Sequence, residues 1–192
     1  MAEAAAAPAV DPRLWMLVSP TLPVGGYSYS QGIEHAVLCG RLNSAADVSN
    51  WVSGLLDAAI GRVDLPILAR LYQASEAADP AAVKYWNRQL LARRETAELR
   101  REDLLMGEAL ERLIADLQLP ALPAMGQRAT FALALARASL AFTIPLLSCL
   151  TAYGWIWCDN QIAAAVKLVP LGQTDGQRLL LALTEQLQDT VA

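Results

Sequence analysis

The side chains best suited to chemistry in this 192-residue sequence are its single histidine, His35, and the cysteine four residues later, Cys39. Residues four apart share one face of a helix, so this imidazole and thiol offer two soft ligands to nickel, zinc or copper. Two ligands do not complete a site, and we expect instead a histidine on an apolar helix face beside a small buried cysteine. A small helical metal-binding protein or metalloenzyme using His35/Cys39 is the alternative function.

Other catalytic patterns do not occur in the sequence. A single histidine forms no histidine cluster, and no hydroxyl side chain lies in the context of a nucleophile elbow. The Gly25-Gly26 pair lacks the Lys-Ser/Thr end of a phosphate-binding loop. We therefore predict that the protein is not an enzyme and has no cofactor.

The composition predicts an all-α protein. Hydrophobic residues make up 55% of the chain and aromatic residues only 6%, and alanine and leucine, which favour helices, dominate. The length fits one domain, and no linker divides it. We predict a single-domain bundle of about eight to ten helices over residues 13–192, preceded by a flexible, alanine-rich tail over residues 1–12.

Charge and cysteine content indicate which partners and which cellular compartment the sequence fits. A net charge of -4 argues against nucleic-acid binding, which requires a basic surface. Cys39, Cys149 and Cys158 show no C-x-x-C spacing, so we expect reduced, buried thiols on apolar helix stripes in a cytoplasmic protein. Residues 2–10 lack the basic start of a signal peptide.

One segment raises the question of a membrane span. Residues 138–158 carry no formal charge and are long enough to cross a bilayer. Pro145 interrupts the segment, polar residues dilute it, and no cluster of lysine and arginine flanks it. We therefore expect a helix that is buried on nearly all sides in a bundle, and no membrane partner.

The chain is organised around the stretch from Ser19 to Glu34. Its prolines and the Gly25-Gly26 pair predict a stiff loop, and Ser28 with Gln31 predicts a capping box at a helix start. Tyr27 and Tyr29 then lie at a helix N-terminus. Two interpretations stay open, a partner-contact surface or a connector whose tyrosines pack inward.

Local signals place further helices along the chain. Pairs such as Ser44 with Asp47 and Asp79 with Pro80 are typical of helix starts, and apolar residues recur at helical spacing after each. The predicted elements are a short helix over Leu14–Val18, helices after Ser44, Asp64 and Asp79, a long amphipathic helix over Arg93–Leu119, an apolar helix over Phe131–Phe142, a helix from Ile144-Pro145 to Leu168, and a last helix capped by Thr174 with Gln177.

Two groups of polar residues allow more than one interpretation. The charged run from Arg93 to Asp103 has balanced signs, so it predicts a solvated helix face, with a partner-docking face as the alternative. Asn160 and Gln161 lie on an otherwise apolar helix, where we expect their amides to bond locally. Lys167 on the same helix is expected to extend into solvent.

Three separated motifs resemble the UreF family of urease accessory proteins. The first runs from Ser19 to Glu34 and matches a Ser-Pro-x-x-Pro-x-Gly-x-Tyr/Phe-Ser-x-Ser-Gln-Gly-x-Glu type pattern. The second is an Arg-Glu-Thr-x-Glu-Leu-Arg pattern met from Arg94 to Arg100. The third is Val-Lys-Leu-Val-Pro-Leu-Gly-Gln, from Val166 to Gln173. The motifs occur in the family's order and span most of the chain.

The resemblance implies an all-α, non-enzymatic chaperone that dimerises and binds the UreD/UreH accessory protein. Through that complex it would recruit the GTPase UreG to apo-urease and help to deliver Ni²⁺. By position in the motifs, the implied partner-binding residues are Tyr27, Ser28, Gln31, Glu34, Lys167, Pro170 and Gln173. We also expect the loops at Tyr27–Glu34 and Lys167–Gln177 to lie on one continuous surface.

The sequence departs from the family pattern at its end. Members of the family continue past the last helix into a polar tail with a His-Glu-x-x-Tyr-Ser-Arg type motif, whereas this sequence ends at Ala192. Since that tail contributes to binding the UreD/UreH partner, we expect its contribution to be missing from this polypeptide.

Overall fold

The computed structural model describes residues 11–25, 29–119 and 128–192, which form helices joined by turns and contain no strand. The all-α prediction is confirmed. The helices are α1 (Pro12–Val18), α2 (Ile33–Leu38), α3 (Ala45–Leu55), a π-helical segment (Leu56–Asp64), α4 (Leu65–Glu76), α5 (Pro80–Ala92), α6 (Ala97–Asp116), α7 (Phe131–Ala141), α8 (Leu146–Leu168) and α9 (Gln173–Val191).

Side chains cap several of these helices as the sequence predicts. Ser44 Oγ accepts a hydrogen bond from the Asp47 N–H at 3.2 Å, and Asp47 Oδ2 accepts one from the Asn43 N–H at 3.1 Å. Asp79 Oδ1 accepts from two N–H groups in the first turn of α5, each at 3.0 Å. Each cap satisfies backbone donors that have no partner within the helix, so local sequence fixes where α3 and α5 begin.

The predicted helix start at Asp64 is wrong. Asp64 has helical backbone angles, φ -68° and ψ -51°, and its side chain caps nothing. The π-helical segment instead joins α3 to α4 in one helical run from Ala45 to Glu76. Pro66 has no N–H to donate to the preceding turn, and the Leu65 N–H bonds to the Ile60 carbonyl five residues earlier. The wider turn carries the helix past the proline.

The uncharged segment at residues 138–158 is divided between two helices. α7 ends at Ala141, Thr143 adopts a left-handed φ of 56°, and α8 begins after Pro145. Within this segment Ala138, Cys149 and Cys158 are buried, but Leu147 and Thr151 are exposed, so the expectation of burial on nearly all sides holds only in part. Among the described residues, no helix combines the length and apolar character that crossing a bilayer requires.

α8 is the central helix of the bundle. It packs against α1, α2, α4, α7 and α9, and small residues permit close approach at some of these contacts. Gly154 on α8 faces Leu187 of α9, and Gly176 on α9 faces Val166 of α8. α8 therefore connects the turn before α2 with the corner between α8 and α9, where two of the three sequence motifs lie.

The short opening helix agrees with its prediction and begins slightly earlier. Asp11 accepts a hydrogen bond from the Arg13 N–H at 2.9 Å, and Pro12 is the first residue of α1. Leu17 and Val18 are buried against the core. Residues 1–10 of the predicted tail lie outside the described residues, so the proposed boundary between 1–12 and 13–192 stays a prediction.

Candidate functional site

The described part of the first motif turns sharply just before α2. The helix begins at Ile33, and its N-cap is Gly32, with φ of 99° and no side-chain cap. The predicted capping box is therefore wrong in its placement of the helix start, and Ser30 Oγ instead accepts a 3.4 Å bond from the Glu34 N–H. Tyr27 and Ser28 lie outside the described residues, so their partner-binding roles stay predictions.

The remaining residues of this motif differ in how far they are exposed to solvent. Glu34 is exposed and Tyr29 is 37% exposed, as a contact surface requires. Gln31 is half-buried: its Nε2 donates to Glu102 Oε1 at 2.7 Å, and its Oε1 accepts from Trp157 Nε1 at 2.8 Å. The Gln31 amide therefore bonds inside the molecule, between α6 and α8.

The third motif forms the corner between α8 and α9. Lys167, Pro170 and Gln173 are all exposed, as expected for Lys167. The predicted cap by Thr174 and Gln177 is wrong, because α9 begins at Gln173 and its N-cap is Gly172, without a side-chain bond. The corner is held by backbone bonds instead, including the Leu171 N–H to the Val169 carbonyl at 2.6 Å.

The amides on α8 make long-range bonds. Asn160 Nδ2 donates to the Tyr29 carbonyl at 3.0 Å, and Gln161 Nε2 lies 3.4 Å from Gln31 Oε1. The expectation that these amides bond locally is therefore wrong. Such bonds depend on which segment packs against α8, and local sequence does not encode that choice. They fasten the first motif to the middle of α8.

The second motif contributes to a buried cluster of charged groups. Arg94 Nη1 and Nη2 donate to the two oxygens of Asp64 at 3.0 and 2.9 Å, and Arg94 Nε donates to Asp103 Oδ2 at 2.8 Å. Tyr153 donates its hydroxyl to Asp64 Oδ2 at 2.6 Å. Asp103 Oδ1 accepts from the Phe131 N–H at 2.7 Å. One guanidinium thus joins the end of the π-helical segment to α6 and, through the two carboxylates, to α7 and α8.

This cluster corrects the prediction of a solvated face for part of the charged run, whereas Arg93, Glu95, Glu98, Arg100 and Arg101 are exposed as predicted. Glu102 is 5% exposed and Asp103 is 6% exposed, although both belong to the charged run. The signal that identifies Asp103 is periodicity, because it lies four residues after Leu99 and three before Met106 on the apolar stripe of α6. Sequence reasoning missed Asp64 and Tyr153 as its companions.

Burial and neighbouring charges shift the acidity of these groups. Burial alone lowers the pKa of Arg94, but Tyr153, Asp64 and Asp103 together raise it above its ordinary value. Burial and the adjacent Asp64 carboxylate raise the pKa of Tyr153 well above its usual range. Burial raises the pKa of Glu102, while the hydrogen bond from Gln31 acts in the opposite direction. The guanidinium therefore stays charged and the phenol stays protonated at neutral pH.

A cavity of about 380 Å³ lies beside the cluster. Its walls combine charged and amide groups with apolar side chains and two indoles. They include Gln31, Trp51, Leu55, Ile60, Asp64, Arg94, Glu102, Asp103, Met106, Tyr153, Ile156, Trp157 and Asn160. The buried Trp51 Nε1 has no hydrogen-bond partner among the described residues.

His35 on α2 and Cys39, the C-cap residue of that helix, lie on one side, as predicted. Cys39 Sγ lies 3.4 Å from His35 Nε2. The expectation of a buried cysteine beside a histidine on an apolar face is wrong, because both side chains are exposed. Within residues 11–25, 29–119 and 128–192, no group of three or more histidine, cysteine or acidic side chains is placed to hold a metal ion. The pair offers two ligands to a metal and no more.

Comparison with known proteins places these motifs in context. The sequence model of the UreF family matches residues 42–184. The chain is 51% identical over 179 residues to the urease accessory protein UreF of Alkalilimnicola ehrlichii, an alignment that covers 90% of this chain and 77% of that protein. It is 46% identical over 178 residues to the protein of the same name from Azoarcus sp., covering 89% and 76%. A third, from Alcanivorax borkumensis, is 44% identical over 188 residues, covering 91% and 80%.

Proposed function

The chain belongs to the UreF family of urease accessory proteins, and from this premise we propose that it is a non-enzymatic scaffold for urease maturation. In this proposal it forms a homodimer within a cytoplasmic accessory complex. It binds a partner of the UreD/UreH type, recruits a GTPase of the UreG type, and so supports GTP-dependent insertion of Ni²⁺ into apo-urease. Nickel is cargo in this process, and the chemistry of nucleotide hydrolysis belongs to the GTPase.

The observation that carries the proposal is that α8 holds the first motif by a hydrogen bond and also carries the start of the third motif. Asn160 bonds the Tyr29 carbonyl at 3.0 Å, and Lys167 follows Asn160 by seven residues on the same helix. Seven residues return a helix to nearly the same face, about 10 Å further along its axis. Tyr29 and Lys167 are both exposed, which supports the proposal that the two motifs supply one contact surface.

The chemistry of this surface suits protein recognition. Tyr29 offers an aromatic ring with a polar hydroxyl, which is favoured at interfaces. Glu34 and Lys167 are exposed and add charges that orient a partner more than they strengthen its binding. The N–H of Leu171 and the side chain of Asn160 hold the two turns in place, which lowers the entropy lost on association.

The test uses the two lysines of the chain as a matched pair. Lys167→Ala removes the charge from the proposed surface, whereas Lys84→Ala removes an exposed lysine from α5. We expect both variants to keep the circular dichroism spectrum and thermal midpoint of the parent. Only Lys167→Ala should weaken capture of the UreG-type GTPase, by about fivefold, the loss expected when truncation costs about 1 kcal/mol, and slow urease activation in cells.

Two results would end the contact-surface proposal. One is a Lys167→Ala variant that captures the GTPase as well as the Lys84→Ala variant does. The other is a Lys167→Ala variant that unfolds at lower temperature yet still recruits, since Lys167 would then act in folding. Gln173→Ala, at the exposed start of α9, provides an independent second position on the same surface.

A further inference from the structure

The backbone at Gln31 adopts a conformation that its residue type disfavours. Its φ is 47°, in the left-handed region, and the following Gly32 has φ of 99°. Glycine accepts this region readily, whereas a side chain with a Cβ crowds the following carbonyl oxygen. A left-handed glutamine persists when surrounding contacts hold it there, and such positions cluster at functional sites. The contacts that hold Gln31 are therefore informative.

The side chain of Gln31 is fixed by two helices that are distant in sequence. Its Nε2 donates to Glu102 Oε1 on α6 at 2.7 Å. Its Oε1 accepts from Trp157 Nε1 at 2.8 Å and lies 3.4 Å from Gln161 Nε2, both on α8. Glu102 and Gln161 are buried, so these bonds are shielded from competing water. The amide thus clamps the turn before α2 to both helices.

The chemistry of the clamp requires both a donor and an acceptor at Gln31. An ionised Glu102 only accepts hydrogen bonds, and an indole N–H such as that of Trp157 only donates them. A primary amide of this length satisfies both neighbours at once. A second bond, from Asn160 to the Tyr29 carbonyl at 3.0 Å, fastens the residue two positions earlier. Together these bonds leave the turn at residues 29–32 in one conformation.

We propose that Gln31 is a positioning residue, which holds the turn at residues 29–32 against α6 and α8 so that the contact surface containing Tyr29 and Lys167 is formed before a partner arrives. The effect of Gln31 on partner binding rests on the proposed function. The clamp itself does not depend on the proposed function, because its hydrogen bonds form within the isolated chain. Gln31 thus acts through the turn, and its amide does not contact the partner.

A polarity reversal tests the clamp. Gln31→Glu places a carboxylate against Glu102 and should release the turn. Glu102→Gln alone keeps an acceptor oxygen for Gln31, so it serves as the control. The double variant Gln31→Glu/Glu102→Gln exchanges the donor and acceptor, restores the Trp157 bond to a carboxylate oxygen, and keeps the net charge. The double variant should therefore recover what the Gln31→Glu variant loses.

The primary measurement is hydrogen exchange of the peptide covering residues 29–38 in the isolated chain, with a peptide from α4 as the internal reference. We expect exchange in residues 29–38 to accelerate about tenfold in Gln31→Glu, to change little in Glu102→Gln, and to return towards the parent rate in the double variant. Capture of the UreG-type GTPase, measured on the same four proteins, should fall and recover in parallel.

The outcomes separate the two proposals. Unchanged exchange in Gln31→Glu, or no recovery in the double variant, would overturn the clamp whatever the partner does. Exchange that responds while GTPase capture stays constant would overturn the positioning role. Failure of the contact surface itself would appear elsewhere, as undiminished capture by Lys167→Ala. If Gln31→Glu unfolds the whole chain, exchange in the α4 peptide accelerates as well. The double variant then tests the clamp, because parental exchange rates in residues 29–38 support it and unrecovered rates overturn it.

Discussion

At the scale of single residues, Arg94 is the side chain on which most buried charges depend. It is bonded to Asp64 and Asp103, whose side chains are 3% and 6% exposed. Tyr153 lies 3.3 Å from the same guanidinium. Removing one partner from such a group leaves buried charges without compensation, which is more costly than the intact pair is stabilising. The cluster therefore fixes how the π-helical segment, α6 and α8 meet.

We predict that Arg94→Met lowers the free energy of unfolding by about 3–5 kcal/mol at pH 7. Arg94→Lys should recover only part of this loss, because an ammonium group does not reproduce the planar fork that holds both oxygens of Asp64. Urea denaturation provides the measurement. The loss should be smaller at pH 4, where the stranded carboxyl groups can take up protons.

An exposed ion pair supplies the control for this prediction. Arg62 bonds Asp57 at 2.9 Å, but their side chains are 72% and 59% exposed. Arg62→Ala should therefore change stability by less than about 1 kcal/mol. Equal effects of Arg94→Met and Arg62→Ala would contradict the assignment of the buried cluster as a stabilising contact between helices.

At the scale of elements, the contact of α6 with the start of α7 is made through a glycine. A Cβ added to Gly107 would lie 2.7 Å from the carbonyl carbon of Thr130. Backbone cannot move aside as a side chain can, so even one methyl group is too large there. The contact matters because Thr130 caps α7 and Asp103 bonds the next N–H. The close approach of α6 to Thr130 keeps the Phe131 N–H within hydrogen-bonding distance of Asp103, at one end of the charged cluster.

We predict opposite effects for two glycine substitutions in helices. Gly107→Ala should destabilise the protein by about 1–3 kcal/mol through overpacking. Gly54 on α3 is exposed and has no atom within 4 Å of an added Cβ. Gly54→Ala should stabilise it by about 0.5–1 kcal/mol, because alanine favours helix. Thermal unfolding of both variants provides the measurement, and shifts of the same sign would contradict the packing argument.

At the scale of the whole molecule, the cysteines distinguish surface from core. Cys39 is exposed, which corrects the expectation that all three thiols are buried, while Cys149 and Cys158 on α8 are 0% and 1% exposed. Burial raises the pKa of Cys149 to about 12, and burial together with Asp159 raises that of Cys158 to about 12. Because α8 is packed on many sides, reagents reach its thiols only when the bundle opens.

We predict that a thiol-specific reagent modifies Cys39 rapidly in the native protein, and Cys149 and Cys158 only when the whole protein unfolds. The slow reaction should be suppressed by at least about a thousandfold relative to an unfolded control, as expected from the stability of folded domains. Cys39→Ser should abolish the fast phase and leave the slow one. Three fast thiols in the native state would show that α8 is not the enclosed core helix described here.

The sequence by itself determined the helical class, most helix positions and the family. Helical spacing of apolar residues is a local property, and so are the caps at Ser44 and Asp79, whose hydrogen-bonding partners lie within three residues. The exposure of Lys167 also followed from its type. These features do not depend on which segments pack together, because residues close in the sequence stabilise them.

Only the tertiary structure decided where the polar side chains are directed. Asp64 has the local context of a helix cap, and Gln31 that of a capping box, yet they bond to Arg94 and Trp157, which lie 30 and 126 residues away. A buried polar group takes whichever partner the packing of helices brings within reach, because leaving it unpaired is costly. That choice is made between segments, and the order of residues within one segment does not contain it.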